Sequence, residues 1–378
     1  MKLLHLADLH LGKRVNEFPM IEDQRYILIK ILNIIDEEKP DAVIIAGDVY
    51  DKALPSVEAV ELLSGFLNKL AERRLETFII SGNHDSAERL SFARELISAA
   101  GIHIAPVYNG KTEPFTLSDG FGEVNIYMLP FVKPVHVRQA FPDKEISGYN
   151  DAVGLAVKEM NADFAKRNVL VTHQFVTGAV TCDSEELSVG GTDGVSAGLF
   201  DGFDYVALGH IHSPQQVKRE TMRYAGSPLK YSFSEANHKK SVVIAELCEK
   251  GNVKIKTVPL IPEFDMVEIR GKYDELMAKS YYEKLNTKDY YHITLTDEDD
   301  IPDAMNKLRC VYPKIMKLNY DNKRTRTESV VHEGADETEK SPVELVGELY
   351  QLQNGRALDE KQEEYLGGLI GKIWEVAK

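Results

Sequence analysis

Cysteine is scarce: Cys182, Cys248 and Cys310 are the only three in 378 residues, and they lie far apart. That excludes a disulfide framework and a cysteine zinc knuckle, and all three read as small apolar residues of the interior. No stretch approaches the ~18 uninterrupted apolar residues of a membrane span. The opening Met1-Lys2-Leu3-Leu4-His5-Leu6 meets Asp8 and His10 too early for the apolar segment of a signal peptide, so a soluble cytoplasmic protein without membrane contact is expected. There is no Gly-x-x-x-x-Gly-Lys-Ser/Thr phosphate loop, so any dependence on ATP has to come from another subunit. Positive charge is also short, with 45 Lys and Arg against 60 Asp and Glu and a formal net charge of −15. A polyanion meets a repulsive average field here and needs local basic patches, bound metal or a partner. With only 15 prolines and 43% hydrophobic residues the composition is globular, with room for one large domain and a smaller one.

What is there reads as layered α/β. Apolar runs at Leu3–Leu6, Ala42–Ala46 and Thr77–Ile80 alternate with amphipathic stretches at Ile21–Glu38 and Ser56–Ala71, and a helix is expected to begin near Ser86. The run Ala42–Ala46 predicts a strand buried on both faces. Further strands are read at Asn125–Leu129, Val169–Thr172, Tyr205–Leu208, Ser241–Leu247 and Val253–Val258, which together suit a two-sheet core with flanking helices. The pattern breaks at Pro259–Pro262, so a first domain is expected over residues 1–260. A β-α-β-α-β order over 264–320 predicts a small α+β cap at 261–321. Residues 322–340 carry many charges without apolar periodicity and read as a flexible linker. Over 341–378 two helices are expected, the first opened by a capping box at Ser341-Pro342-Val343-Glu344. Val343, Val346, Leu349 and Tyr350 share a face of the first; Tyr365, Leu366, Leu369, Ile370, Ile373 and Trp374 share a face of the second. Such a pair is either a hairpin packed on its own domain or an apolar face kept for a partner behind a tether, and the linker favours the partner.

Five short motifs place metal-type donors just after predicted strands: Asp8-Leu9-His10, Gly47-Asp48-Val49-Tyr50-Asp51, Gly82-Asn83-His84-Asp85, Thr172-His173-Gln174 and Gly209-His210-Ile211-His212. In extended chain, residues i and i+2 share a face, so Asp8 with His10, and His210 with His212, can each converge on one centre. Gly47, Gly82 and Gly209 permit close backbone approach. Asp8, His10, Asp48, Asn83, His173, His210 and His212 are the candidate ligands. Imidazole and carboxylate donors without thiolate suit Mn²⁺, Fe²⁺ or Zn²⁺ better than an all-oxygen Mg²⁺ cage. Seven donors exceed one tetrahedral site, and one carboxylate bridging two ions resolves the count. Taken singly each motif is common; taken together in order they are not. His5, His103, His136, His238, His292 and His332 lie outside the motifs and read as ordinary core or surface residues.

This ordered set resembles the calcineurin-like metallophosphoesterase superfamily. Longer phrases narrow the resemblance to the nuclease-subunit family of bacterial SbcCD complexes: Leu4-His5-Leu6-Ala7-Asp8-Leu9-His10-Leu11-Gly12-Lys13, Ala46-Gly47-Asp48-Val49-Tyr50-Asp51 and Ile80-Ser81-Gly82-Asn83-His84-Asp85-Ser86. They continue through Phe203-Asp204-Tyr205-Val206-Ala207-Leu208-Gly209-His210-Ile211-His212 and Tyr224-Ala225-Gly226-Ser227-Pro228-Leu229-Lys230-Tyr231-Ser232-Phe233. Beyond residue 260 the architecture alone agrees. The resemblance implies an α/β fold with a two-sheet αββα metallophosphoesterase core, a small α+β cap and C-terminal helices. It implies two divalent metal ions, one held by Asp8, His10 and His212, a second by Asn83, His173 and His210, with Asp48 bridging. Mn²⁺ is the expected metal, with Fe²⁺, Zn²⁺ and Mg²⁺ as alternatives.

It further implies that His84 donates a proton to a leaving 3′ oxygen or stabilises the transition state, with Asp51 orienting its imidazole. The activity so implied is DNA cleavage, 3′–5′ exonucleolytic on double strands and endonucleolytic on single strands and hairpins, in recombination, repair and replication. The implied partner is an SbcC-type SMC ATPase, gripped by the C-terminal helices, with two nuclease subunits pairing in a heterotetramer. Val346, Leu349, Tyr350, Leu366, Leu369, Ile370, Ile373 and Trp374 are the candidate grip, and Lys13, Arg14 and Lys230 the candidate DNA phosphate contacts. A small-molecule phosphodiesterase of the same superfamily is the rival reading, though it needs no cap, tether or terminal helices. A scaffold that has lost its ligands is a second rival; none of the seven is missing.

Overall fold

A computed structural model describes residues 1–185 and 193–323, together with 325, 347, 350, 351, 357–359, 361–363, 365 and 366. Strand β1 (Lys2–Leu6) leads through a ribbon, β2 (Arg14–Val15) and β3 (Phe18–Pro19), into α1 (Ile21–Glu38), β4 (Ala42–Ala46), α2 (Val57–Glu72), β5 (Glu76–Ile80) and β6 (Ile102–Ile104). Next come β7 (Pro114–Asp119), β8 (Gly122–Leu129), β9 (Arg167–His173) and β10 (Tyr205–Gly209), with helices Pro134–Ala140 and Tyr149–Lys158 between β8 and β9. The strands β11 (Gln215–Val217), β12 (Arg219–Tyr224), β13 (Ser241–Leu247) and β14 (Val253–Pro259) follow. One sheet runs β14-β13-β1-β4-β5-β6 and the other β11-β12-β10-β9-β8-β7. In the first, β1, β4, β5 and β6 are parallel; in the second, β8, β9, β10 and β12 are.

The two sheets face each other across Leu3, Ile44, Phe78, Ile126, Val169, Tyr205 and Val243. On β4 alternate residues divide the work. Ala42, Ile44 and Ala46 pack toward the second sheet, while Val43 and Ile45 pack with Ile27 and Ile31 of α1 and Leu62 and Phe66 of α2. Two apolar faces on one strand explain its unbroken apolar run, and each such side chain contributes about 1.5–3 kcal/mol on burial. A third cluster joins Leu170, Val206 and Leu208 to Val137, Val153 and Ala156 of the helices on the opposite side, which completes an αββα layering.

Local chemistry sets the helix ends. Ser56 caps α2 by accepting from the Ala59 amide at 3.3 Å, a contact worth about 0.5–2 kcal/mol. Helix α1 stops at Lys39, left-handed at φ 49° and followed by Pro40. The helix expected from Ser86 is a single turn, Ala87–Leu90, because Ala93 is left-handed (φ 58°) and restarts the chain as a second short helix, Arg94–Ser98. The cysteines divide: Cys248 is buried, Cys182 half-buried and Cys310 exposed. The expected interior role fails for Cys310 because it follows helix Ala304–Arg309 off the face that Ala304 and Leu308 bury.

Beyond β14, strands β15 (Met266–Gly271), β16 (Tyr290–Leu295) and β17 (Ile315–Tyr320) form a separate three-stranded sheet with short helices in its connections. Met266, Tyr290 and Met316 join the apolar cluster under α1, and the Tyr290 hydroxyl donates to Asp23 Oδ2 at 2.8 Å. Residues 1–295 and 301–319 make one compact unit, and 296–300 with 320–378 a second. In the second, Asp359 and Gln362 cap one another reciprocally, at 2.9 and 3.0 Å, and Tyr350 and Leu366 are half-buried. Val343, Val346, Leu349, Leu369, Ile370, Ile373 and Trp374 lie outside the described residues. So do His332, the expected capping box at 341–344, and residues 324 and 326–340 of the expected linker. No helix among the described residues is long and apolar enough to cross a membrane.

Candidate metal centre

Parallel register brings the chemistry to one edge. Leu6 pairs with Ile45, Ala46 with Ile80, and His173 with Gly209, so the loops leaving β1, β4, β5, β9 and β10 emerge together, as at the carboxyl ends of any parallel sheet. The loop after β1 lies along the loop after β4: the Asp8 amide donates to the Gly47 carbonyl (3.1 Å), His10 to Asp48 (2.9 Å) and Leu11 to Val49 (3.0 Å). Asp8, His10, Asp48 and His210 all have positive φ, at 53°, 44°, 47° and 104°. A left-handed residue other than glycine costs about 1–2 kcal/mol, so four of the seven candidate donors sit on backbone that the surrounding sheets hold in strain.

Glycine permits the closest approaches. A Cβ on Gly82 would lie 2.1 Å from Asp48 Oδ1, and one on Gly209 would lie 1.9 Å from the Ala46 carbonyl oxygen. The seven donors consequently crowd one crevice. His10 Nε2 is 3.1 Å from His212 Nε2, and Asp48 Oδ2 lies 3.6 Å from His10 Nε2 and 3.2 Å from His173 Nε2. Asn83 Oδ1 meets His173 Nε2 at 3.0 Å and His210 Nδ1 at 2.9 Å. Asp8, His10 and His212 have donor atoms within 4.8 Å of one another, as do Asp8, Asp48 and His173. Asp8 is common to both sets, and Asp48 also groups with His10 and His84.

Burial and charge fit cations. Asp8 is fully buried, its Oδ1 accepts from the His210 amide at 2.9 Å, and its Oδ2 has no hydrogen-bond partner among the described residues. An unmatched buried carboxylate oxygen is costly unless a cation or a proton meets it. Burial pushes Asp8 well above the usual carboxylate range, with the charge of Asp48 adding to the effect. Burial acts on Asp48 in the same direction, but His173 and His10 outweigh it and hold Asp48 well below that range. His10 and His210 are pushed down by burial, to about 4 and about 3, and His212 is lowered by the same cause. These imidazoles are neutral, the form that ligates metal. Burial also lowers His173, yet the charge of Asp48 and the hydrogen bond to it hold His173 up at about 9, so positive charge is favoured beside Asp48 and Asp8. Outer contacts orient the rings: His173 Nδ1 is 2.8 Å from the Ala46 carbonyl, which turns Nε2 to the crevice.

Residues 1–214 match the calcineurin-like phosphoesterase family, and residues 263–354 match a family described as the type 5 capsule protein repressor C-terminal domain. The chain is 32% identical over 380 residues to a Staphylococcus epidermidis protein named as the SbcD subunit of the SbcCD nuclease, covering 99% of each chain. It is 31% identical over 379 residues to the protein of the same name from Staphylococcus saprophyticus, again over 99% of each. The chain belongs to the SbcD family of calcineurin-like phosphoesterases. A dimetal phosphatase from Danio rerio has 10% identity and a TM-score of 0.42, over 69% of this chain and 96% of that one. With a phosphoesterase core and clustered histidine and aspartate donors, the crevice of this SbcD family member is a site of dimetal type.

Around the donors, this family member places the other candidate residues unequally. His84 is half-buried at the crevice, its ring 4.8 Å from that of His10 and its amide donating to Asp48 Oδ1 at 2.9 Å. Asp51 meets His84 Nδ1 through its main-chain carbonyl, at 3.1 Å. The Asp51 carboxylate turns to Lys13 Nζ (2.7 Å) and His10 Nδ1 (3.5 Å). Lys230 is bonded to the Ala236 carbonyl at 2.6 Å and paired with Asp265 at 2.7 Å. Arg14 is exposed and donates to the Glu17 carbonyl.

Two further residues shape the site. The Asp85 carboxylate accepts from the amides of Gly82 (2.9 Å), Val49 (3.0 Å) and Tyr50 (2.9 Å), tying the loops after β4 and β5 together. Its place in the Gly-Asn-His-Asp motif was the available signal. Gln24, buried on α1, donates to the His10 carbonyl at 2.7 Å and accepts from the Gly12 amide at 2.9 Å; nothing local in the sequence points to it.

Proposed function

We propose that this chain is the nuclease subunit of an SbcCD-type complex, cutting DNA with two divalent cations, Mn²⁺ foremost. Its modes would be 3′–5′ exonuclease on double strands and endonuclease on single strands and hairpins, in cytoplasmic recombination, repair and replication. The observation that carries the reading is the convergence of seven imidazole, carboxylate and amide donors on one crevice, in a chain similar from end to end to proteins named as this nuclease subunit.

Asp8, His10 and His212 would hold one ion, Asn83, His173 and His210 the other, and Asp48 both. When bound, the pair supplies Lewis acidity that activates water and offsets charge on the phosphoryl oxygens. The protein's own part is orientation and proton transfer. With Nδ1 held at the Asp51 carbonyl, the His84 imidazole presents Nε2 as the end that exchanges a proton with the departing 3′ oxygen. Lys13 and Arg14, in the loop after β1 and at the start of β2, would meet backbone phosphates, with Lys230 further out. A cavity of about 170 Å³ opens beside Asn83 and His210, lined also by Phe131, Lys133 and Tyr149.

Residues 1–260 would be the nuclease domain, 261–321 the cap, 322–340 a flexible tether and 341–378 the helices that grip an SbcC-type SMC ATPase, with two nuclease subunits in a heterotetramer. Purified chain, with and without that ATPase, is tested on end-labelled hairpin and linear DNA in Mn²⁺. ATP-stimulated cutting by the complex is expected; turnover confined to small phosphodiesters overturns the reading.

A further inference from the structure

His212 is gripped on three sides by side chains that belong to no motif. Its amide donates to Glu185 Oε1 at 2.8 Å, its carbonyl accepts from Lys240 Nζ at 2.8 Å, and its Nδ1 lies 3.3 Å from Glu235 Oε1. Glu235 and Lys240 pair directly, and both are buried, Glu235 completely. Ser227 Oγ bonds to both, at 2.8 Å to Lys240 and 3.4 Å to Glu235. The Tyr231 amide (3.1 Å) and the Ser184 hydroxyl also donate to Glu235. Such density of contacts leaves the Glu235 carboxylate one position.

A buried ion pair is a poor way to stabilise a core, since apolar residues of the same volume do as well or better. The pair therefore calls for another role, and its geometry supplies one. A carboxylate accepting at Nδ1 fixes that nitrogen as the N–H and leaves the lone pair on Nε2. Nε2 is the atom 3.1 Å from His10 Nε2, inside the crevice. The other half of the centre is built differently, for the hydrogen-bond partner of His173 Nδ1 is the Ala46 main-chain carbonyl at 2.8 Å, with the Asp8 carboxylate further off at 3.9 Å. A full negative charge behind His212 makes it the more basic ligand.

We propose that Glu235, clamped by Lys240, is the positioning residue for His212, and that it tunes the Asp8–His10–His212 half of the centre separately from the Asn83–His173–His210 half. This rests on the dimetal reading. The full chain is titrated with Mn²⁺ by calorimetry, with bound metal counted by elemental analysis and thermal midpoints recorded. Wild type is expected to bind two equivalents. Glu235→Gln is expected to weaken one equivalent by 10–100-fold, the range for losing a carboxylate behind a ligating histidine, and to leave the other in place.

Because Glu235→Gln strands a buried lysine, Glu235→Gln combined with Lys240→Met serves as the companion. A purely structural pair predicts that this neutral combination restores both stability and metal affinity. Positioning of His212 predicts restored stability with one equivalent still weak. Two equivalents bound by the double variant at wild-type affinity overturn the proposal, whereas fewer than two in wild type overturns the dimetal reading itself. Should neither variant fold, the wild type decides: ¹⁵N spectra of the Zn²⁺-loaded chain, with the His212 signal assigned from its loss in His212→Gln, are expected to show the proton on Nδ1. A proton on Nε2 refutes it.

Discussion

A single methyl group tests whether the close crossing of the two sheets builds the crevice. In Gly209→Ala the new Cβ would lie 1.9 Å from the Ala46 carbonyl oxygen and 2.7 Å from His173 Nδ1. Neither neighbour can yield cheaply: β4 and β10 are buried along their whole lengths, and the obstructing atom is main chain. Relief requires the strand ends to part by about an ångström, in the range where overpacking costs ~1–3 kcal/mol. The same carbonyl holds His173 Nδ1 at 2.8 Å, and loosening that bond adds ~0.5–1.5 kcal/mol. At roughly 2–4 °C per kcal/mol, the thermal midpoint is expected to fall by about 5–15 °C. A misplacement of about 1 Å at the chemistry is worth ~10²-fold in rate, so Mn²⁺-dependent cleavage of end-labelled duplex is expected to drop by about that factor. Gly65→Ala is the control. On the exposed face of helix α2 its Cβ meets nothing within 4 Å, and alanine there is expected to stabilise by ~0.4–1 kcal/mol. A Gly209→Ala protein with wild-type midpoint and rate would show that the approach of β10 to β4 has no bearing on the site.

Asp48→Asn removes the charge between the two donor sets, so both ions are expected to weaken together; unchanged metal stoichiometry by elemental analysis contradicts the bridging role. His84→Gln is expected to keep both metals and lose ~10²–10⁴-fold in cleavage, the scale of general acid catalysis, and a metal-loaded variant of full activity removes His84 from the chemistry. Away from the crevice, Asp119 Oδ1 lies 2.5 Å from Arg167 Nη2, and that hydrogen bond holds the carboxyl well below the usual range. A lowered carboxyl stabilises the fold above its unfolded pKa of ~3.9 and loses that contribution as pH falls through the folded value. Asp119→Asn is thus expected to lower the thermal midpoint at pH 7 and to matter progressively less below pH ~4; a deficit that is constant from pH 7 to pH 3 refutes the assignment.

Convergence of the donors was legible because it is local. Each motif ends a strand or follows one closely, and parallel register carries five strand ends to one edge without further instruction. The glycines were legible for the same reason, since Gly82 and Gly209 sit beside donors in the chain. Asp85 was in view without a role, because a carboxylate that bonds three amides resembles any loop aspartate until Val49 and Tyr50 are seen beside it. Gln24 and Glu235 gave no signal at all: Gln24 meets the His10 carbonyl across a turn and a helix entry, and Glu235 meets His212 through a loop and two strands. The fold was missed where strands are polar or short. β11 and β12 are strands with exposed or half-buried positions along them, so alternation is faint, and β6 has three residues. Strand β8 begins at Gly122, ahead of the apolar segment from Asn125, because pairing with β7 rather than burial holds its first residues.

The two buried aspartates show why composition was a poor guide to the charge that matters. Asp8 and Asp48 share one pocket and cannot both ionise cheaply there. Asp48 takes the charge because His173, His10 and the His84 amide all face it, while Asp8 has the His210 amide and an unmatched second oxygen. Within one crevice, one carboxylate is thus held ionised by imidazoles and the other waits on a cation or a proton. The excess of acid across the chain says nothing of this. An anionic polymer approaching a surface of net charge −15 meets repulsion on average, and the crevice is favourable to it only once cations offset Asp48 and Asp8. Substrate access therefore depends on metal loading, and the sheets that hold four donors at positive φ keep the pocket in shape for the metal.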